Sequence, residues 1–229
     1  MASWIGLLLL LGTSIAQFRP PTYQSCDGQR LNQVQAAFND ALGITPNLGV
    51  KTYEQLRMAV EGVWARTGIP GLSSVCNAFK GIKVGFNKME DYEACFFGPV
   101  GLVATQNGTA TGITMAQAIG YQKLMNQFDF ACGAGFSVFA NVDVCAAGIF
   151  GSNATKTQLN QCQSDFASNV ANDPTNVCTY AATAALCYQT TFMSCGRSAG
   201  WWGCEYERMG TATYYPHCTQ NFCTLNPVQ

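Results

Sequence analysis

Twelve cysteines in a chain of 229 residues narrow the choice of folds more than any other feature, because an even set of thiols in an oxidising compartment ends as a covalent network. They are Cys26, Cys76, Cys95, Cys132, Cys145, Cys162, Cys178, Cys187, Cys195, Cys204, Cys218 and Cys223. Six bridges are therefore expected, with a connectivity that spacing alone does not give.

The N-terminal residues point to the same compartment. The apolar run from Trp4 to Leu11, followed by Ser14 and Ala16, predicts a signal peptide over residues 1–16, although residues 1–6 carry no Lys or Arg. Residues 17–229 are then a secreted domain. The run is far shorter than the roughly 20 apolar residues that cross a bilayer. The most apolar later stretch, from Cys132 to Phe150, is interrupted by Asn141 and Asp143, so no membrane span is expected. Two sequons, at Asn107 and Asn153, fit a secretory route and predict exposed loops bearing glycans.

With 48 % hydrophobic residues the chain can fill a sizeable core. Charged residues make up only 11 % and leave a net charge of −1, so no basic face offers itself to nucleic acid or to anionic lipid. Solubility must come from Asn, Gln, Thr, Ser and glycans, which suits an extracellular protein.

Between the cysteines, apolar residues recur at helical spacing. Leu31, Val34, Phe38 and Leu42 share one face of a helix that Gly43 stops. Thr52 and Gln55 form a capping-box pattern ahead of the stripe Tyr53, Leu56, Val60, Val63 and Trp64, which ends at Gly68. Val75, Phe79, Ile82, Phe86 and Met89 predict a third helix. A second capping box, Thr114 with Gln117, opens a fourth carrying Met115, Ile119, Met125 and Phe128. The run from Phe136 to Ile149 fits both periods and is assigned to helix. Leu159, Cys162, Phe166 and Val170 give another helix, and the Ala-rich span from Asn176 to Cys195 one more. From Gly196 onward the chain reads as irregular and cysteine-held. The sequence thus predicts an all-α, disulfide-stapled bundle of about six or seven short amphipathic helices.

The pattern Leu31-Asn-Gln-x-Gln35-x-x-Phe38 recurs as Leu159-Asn-Gln-x-Gln163-x-x-Phe166, and the same offset relates Pro46 to Pro174, Gly68 to Gly196, Cys76 to Cys204 and Cys95 to Cys223. This raises an internal duplication of 26–98 as 154–226, set against coincidence between two Gln-rich amphipathic helices.

Catalytic patterns are sparse. Gly196-Arg-Ser198-Ala-Gly200 fits the G-x-S-x-G elbow, with Glu205 or Glu207 and then His217 in hydrolase order, but the span before it is helical and no βα alternation surrounds it. Turn-forming glycines are the expected reading, with a serine hydrolase using Ser198 as a distant alternative. His217 is the only histidine, which excludes mechanisms needing two. It could join Cys204, Cys218 and Cys223 around zinc only if those thiols were reduced, and disulfides claim them first, so no metal and no cofactor are expected. Trp201, Trp202, Tyr214 and Tyr215 concentrate aromatics near the C-terminus, either as a small core or as a binding face.

In cysteine content and helical pattern alone, the chain resembles secreted helical cysteine-rich proteins of invertebrates, among them extracellular-matrix components and toxin-like effectors. That resemblance transfers no functional residue. The expected function is non-enzymatic and structural or adhesive, with an unidentified extracellular protein or glycan as partner. The alternative is a secreted effector, ligand or inhibitor acting through one surface patch.

Overall fold

Breaks in the apolar spacing become the joints between helices. A computed structural model describes residues 24–104, 110–218 and Cys223; the predicted signal peptide lies outside the described residues. Among these are eleven α-helices and no strand: α1 (Gly28–Ala41), α2 (Tyr53–Thr67), α3 (Ile69–Gly85), α4 (Met89–Phe96), α5 (Pro99–Val103), α6 (Met115–Cys132), α7 (Phe136–Asn141), α8 (Asp143–Gly151), α9 (Asn153–Asn172), α10 (Val177–Phe192) and α11 (Arg197–Ala212). The all-α, disulfide-stapled architecture is as the sequence predicts. The helices outnumber the expectation because two predicted runs divide, α5 follows the Gly98-Pro99 break, and α11 forms where the sequence reads as irregular. The 136–149 run splits at Val142, and the third helix stops where Phe86 turns extended.

Local chemistry explains most of the boundaries. Asp27 caps α1 by accepting from the Arg30 backbone N–H at 3.0 Å, and Gly43 takes the left-handed φ of 61° that ends that helix. The Thr114–Gln117 capping box forms with both bonds, at 3.2 and 2.9 Å. The one expected at Thr52 does not. There the Thr52 hydroxyl accepts from the Gly49 N–H at 3.0 Å, closing a single 3-10 turn, Val50–Thr52, ahead of α2.

The segment after Gly196 corrects the sequence reading. It is α11, helical to Ala212, and the irregular tail begins only beyond it. Its glycines mark close helix contact. A Cβ at Gly203 would lie 2.5 Å from the Phe192 ring, and one at Gly210 would lie 2.9 Å from the Gln127 and Lys123 side chains. Small residues let α11 press onto α10 and α6, so composition that suggests breakage instead permits close packing.

The core centres on Trp64 of α2, fully buried, with ring centroids of Phe150 at 5.2 Å, Phe128 and Tyr206 at 6.0 Å, Phe139 at 6.2 Å and Trp202 at 6.4 Å. One contiguous apolar cluster runs from Cys26 to Tyr206. Within it α1 packs on α3, α2 on α3 and α8, α6 on α3 and α11, and α10 on both α9 and α11.

The 128-residue recurrence has a counterpart in helix bounds. Adding 128 to α3 gives 197–213 against Arg197–Ala212 for α11, and Gly68 and Gly196, at the joints before them, both have positive φ, 58° and 103°. Packing and cross-links do not share the recurrence. The first helix of each unit contacts a different neighbour, α1 lying on α3 and α9 on α10. Cys76 pairs with Cys132, whereas Cys204 pairs with Cys223.

Candidate functional site

All twelve cysteines are paired: Cys26–Cys95, Cys76–Cys132, Cys145–Cys195, Cys162–Cys187, Cys178–Cys218 and Cys204–Cys223. The zinc set considered from sequence is therefore not assembled, since Cys204 and Cys223 are bonded to each other. His217 stands instead beside Cys178 and Cys218.

The aromatic residues near the C-terminus separate. Trp202 is 1 % exposed, stacks on Tyr206 at 5.0 Å, and donates its indole N–H to the Gly135 carbonyl at 3.0 Å. It belongs to the core, which corrects its candidacy as a surface residue. Trp201 is half-buried against Phe130, and Tyr214 and Tyr215 stack on each other at 5.9 Å, both half-buried. Ser198 is exposed on the first turn of α11, where no strand leads into it and no hydrogen bond joins it to His217. Glu205 is taken by Arg208, whose guanidinium donates to both carboxylate oxygens, the shortest bond being 2.6 Å. Asn107 lies outside the described residues. Asn153 is exposed, though as the first residue of α9 and not on a loop, because Ser152 is the last extended residue before that helix.

Two buried ionic groups went unread in the sequence. Arg57 donates to both oxygens of Glu61, at 3.0 and 2.8 Å, and to Asn160 Oδ1 at 2.8 Å. Burial pushes the Glu61 carboxyl above its ordinary value, and the pull of Arg57 only partly opposes this. Burial also works against charge on Arg57, but Glu61 more than restores it. Across the core, Lys123 donates to Glu207 Oε1 and Gln127 donates to Oε2 at 3.1 Å. The phenols of Tyr188 and Tyr206, both fully buried nearby, are held well above their ordinary range by desolvation. The spacing of Arg57 and Glu61 was readable as an i,i+4 pair. Lys123 and Glu207 are far apart in sequence and carried no such signal.

Two surface features offer a partner something to hold. A groove of about 730 Å³ runs between α1, the 46–52 turn and the 111–113 segment. Tyr121 donates to Gln35 at 2.6 Å, Gln35 donates to Asn39 at 2.9 Å, and Asn39 donates to the carbonyls of Pro46 and Leu48, which fixes that wall. The other lies at the ends of α4, where Met89, its first residue, and Phe97, just past its last, are 67 % and 68 % exposed beside a cavity of about 330 Å³ floored by Phe79, Tyr92, Phe96 and Met125. The Lys83–Asp129 pair stands at its rim. Burial and the nearby Asp129 push the Tyr92 phenol up to about 12. Helical spacing from Phe86 made Met89 look like a core residue. The turn after Gly85 points it outward.

No family model, no curated protein and no solved structure matches this chain. Among the described residues no helix is long and apolar enough to cross a membrane.

Proposed function

We propose that this is a secreted, non-enzymatic protein with a structural or adhesive role in an extracellular matrix. The observation that carries the reading is the complete pairing of its cysteines, in bridges that close loops of 19 to 69 residues. Such a network is stable where thiols are oxidised, and it holds helices rigid without bound cofactor or high charge. The exposed Met89 and Phe97 at the two ends of α4 supply an apolar contact on that frame, the kind of patch that marks protein partners. The same patch supports the second reading, a soluble secreted effector.

Expression through a eukaryotic secretory pathway tests the first half of the proposal. Oxidised, glycosylated protein in the medium, with no thiol titrated under denaturing conditions, is the expected result. Retention in the cell in reduced form would overturn it. Fractionating the native tissue tests the second half. Recovery in the detergent-insoluble matrix supports the structural role, and recovery as a soluble stoichiometric complex supports the effector.

A further inference from the structure

We propose that Cys178, His217 and Cys218 form a redox-gated site for a zinc-class divalent ion, closed while the two cysteines are bridged and opened when a thiol reductant cleaves that bridge. The single imidazole of the chain lies beside the Cys178–Cys218 bridge, and one ligand atom from each of the three residues falls within 4.8 Å of the others. A four-coordinate zinc holds sulfur and nitrogen ligands about 3.5 to 4 Å apart. Once the covalent bond is gone, the sulfurs need only part from each other to reach that spacing. His217 is exposed, and neither ring nitrogen has a hydrogen-bond partner among the described residues, so the ligand is free to turn toward a metal. Thiolate and imidazole together favour zinc and its neighbours over calcium or magnesium.

The surroundings allow this bridge to open without loss of the fold. Cys178 sits in the first turn of α10 and Cys218 in the tail after α11; both are half-buried, and neither belongs to the apolar core. The tail remains tethered after cleavage. Cys204–Cys223 ties it to α11, Tyr215 packs on Phe166 at 6.1 Å and on His217 at 6.1 Å, and the Cys218 N–H donates to the Tyr215 carbonyl at 2.9 Å. The dithiol and imidazole therefore stay gathered, which is what separates a metal site from two loose thiols. Cys145–Cys195 also reaches the surface, through the exposed Cys145, but Cys195 packs against the apolar core and no imidazole lies beside that bridge.

The chemistry balances with a monothiol as reductant. One thiolate attacks a bridge sulfur to give a mixed disulfide, and a second thiolate releases the first as its disulfide, leaving two protein thiols. Metal binding then displaces both thiol protons to solvent. Cys178 and Cys218 ligate as thiolates, His217 through one ring nitrogen, and water fills the fourth position.

The test uses the oxidised full chain, titrated anaerobically with reduced glutathione, alkylated at intervals and mapped by peptide mass. After the reductant is removed, Co²⁺ is added as a spectroscopic stand-in for Zn²⁺. Cys178 and Cys218 should be the first pair alkylated, with helical circular dichroism retained. The partly reduced protein should bind one Co²⁺ with a thiolate charge-transfer band that the oxidised protein lacks. His217→Ala should open at the same bridge and weaken Co²⁺ binding by roughly a hundredfold or more. Earlier opening of Cys145–Cys195, loss of helicity on opening Cys178–Cys218, a reduced pair that binds no metal, or undiminished binding by His217→Ala would each overturn the proposal.

Discussion

Glu207 is fully buried, and its charge is tolerated because Lys123 and Gln127 occupy its two oxygens. Removing one partner of such a pair leaves an uncompensated charge in the core. Lys123→Met should therefore cost about 3–5 kcal/mol. The double variant Lys123→Met/Glu207→Leu, which removes both charges, should recover most of that loss. Urea unfolding of the four-member cycle measures the coupling, and additive losses would show that the pair does not act as a unit. The second buried carboxylate predicts a pH dependence. Because burial raises the Glu61 carboxyl above its ordinary 4.5, the folded state holds this proton more tightly than the unfolded chain. The stability this provides is complete below the unfolded value and is lost as pH rises through the folded one. Glu61→Gln cannot titrate, so as pH rises above the ordinary 4.5 wild type should lose stability relative to the variant. Arg57 loses a partner in Glu61→Gln, which offsets the curves but does not create that slope. Parallel curves would refute the assignment.

At the level of helices, glycines fall into two kinds that composition does not distinguish. Gly148 in α8 has nothing within 4 Å of a built Cβ, while a Cβ at Gly101 in α5 would lie 1.9 Å from the Ala94 carbonyl oxygen. Gly101 also accepts the Cys26 N–H at 2.8 Å, so its backbone has little room to withdraw. Gly148→Ala should stabilise by up to about 1 kcal/mol through helix propensity. Gly101→Ala should destabilise by more than that, since backbone must shift to admit the methyl group. Thermal unfolding of the two variants checks the sign of each. The contrast explains which parts of the fold were legible beforehand. Apolar stripes such as Leu31, Val34 and Phe38 report burial directly, and the Thr114 box names its own partners. Gly200, Gly203 and Gly210 read as irregular chain because their purpose lies in α10 and α6, which the local sequence does not contain. Thr52 likewise had two partners available, and the turn at Gly49 took it. The α4 surface was hidden for a similar reason: periodicity carried through Phe86 to Met89 although the backbone turns between them. Of the candidate residues near the C-terminus, their clustering was legible, but the burial of Trp202 depends on Trp64, Phe139 and Phe150 from distant helices.

Across the whole molecule the bridges fall into two sets that never cross. Cys26–Cys95 and Cys76–Cys132 lie within residues 26–132, and the other four lie within 145–223. What holds the halves together is therefore the peptide link between Cys132 and Cys145 and the packing across the seam. Trp64 meets Phe139, Phe150, Trp202 and Tyr206 there, Phe130 meets Trp201 and Trp202, and Lys123 meets Glu207. Burying large side chains of this kind contributes about 1.5–3 kcal/mol each, enough in sum for the halves to stay associated without a covalent bond. The turn at Gly133 and Ala134 is exposed and lies between the two sets, so it admits a cleavage site for a sequence-specific protease. After cleavage the oxidised protein should migrate as one species under native conditions. Under denaturing, non-reducing conditions it should separate into two fragments, each still internally cross-linked and each shifted further by reductant. A single denatured band before reduction would mean that a bridge crosses the seam, and separation under native conditions would mean that the aromatic contact is too weak to hold it. Each half then carries its own staples, and the Trp64 cluster acts as the joint between two oxidised frames.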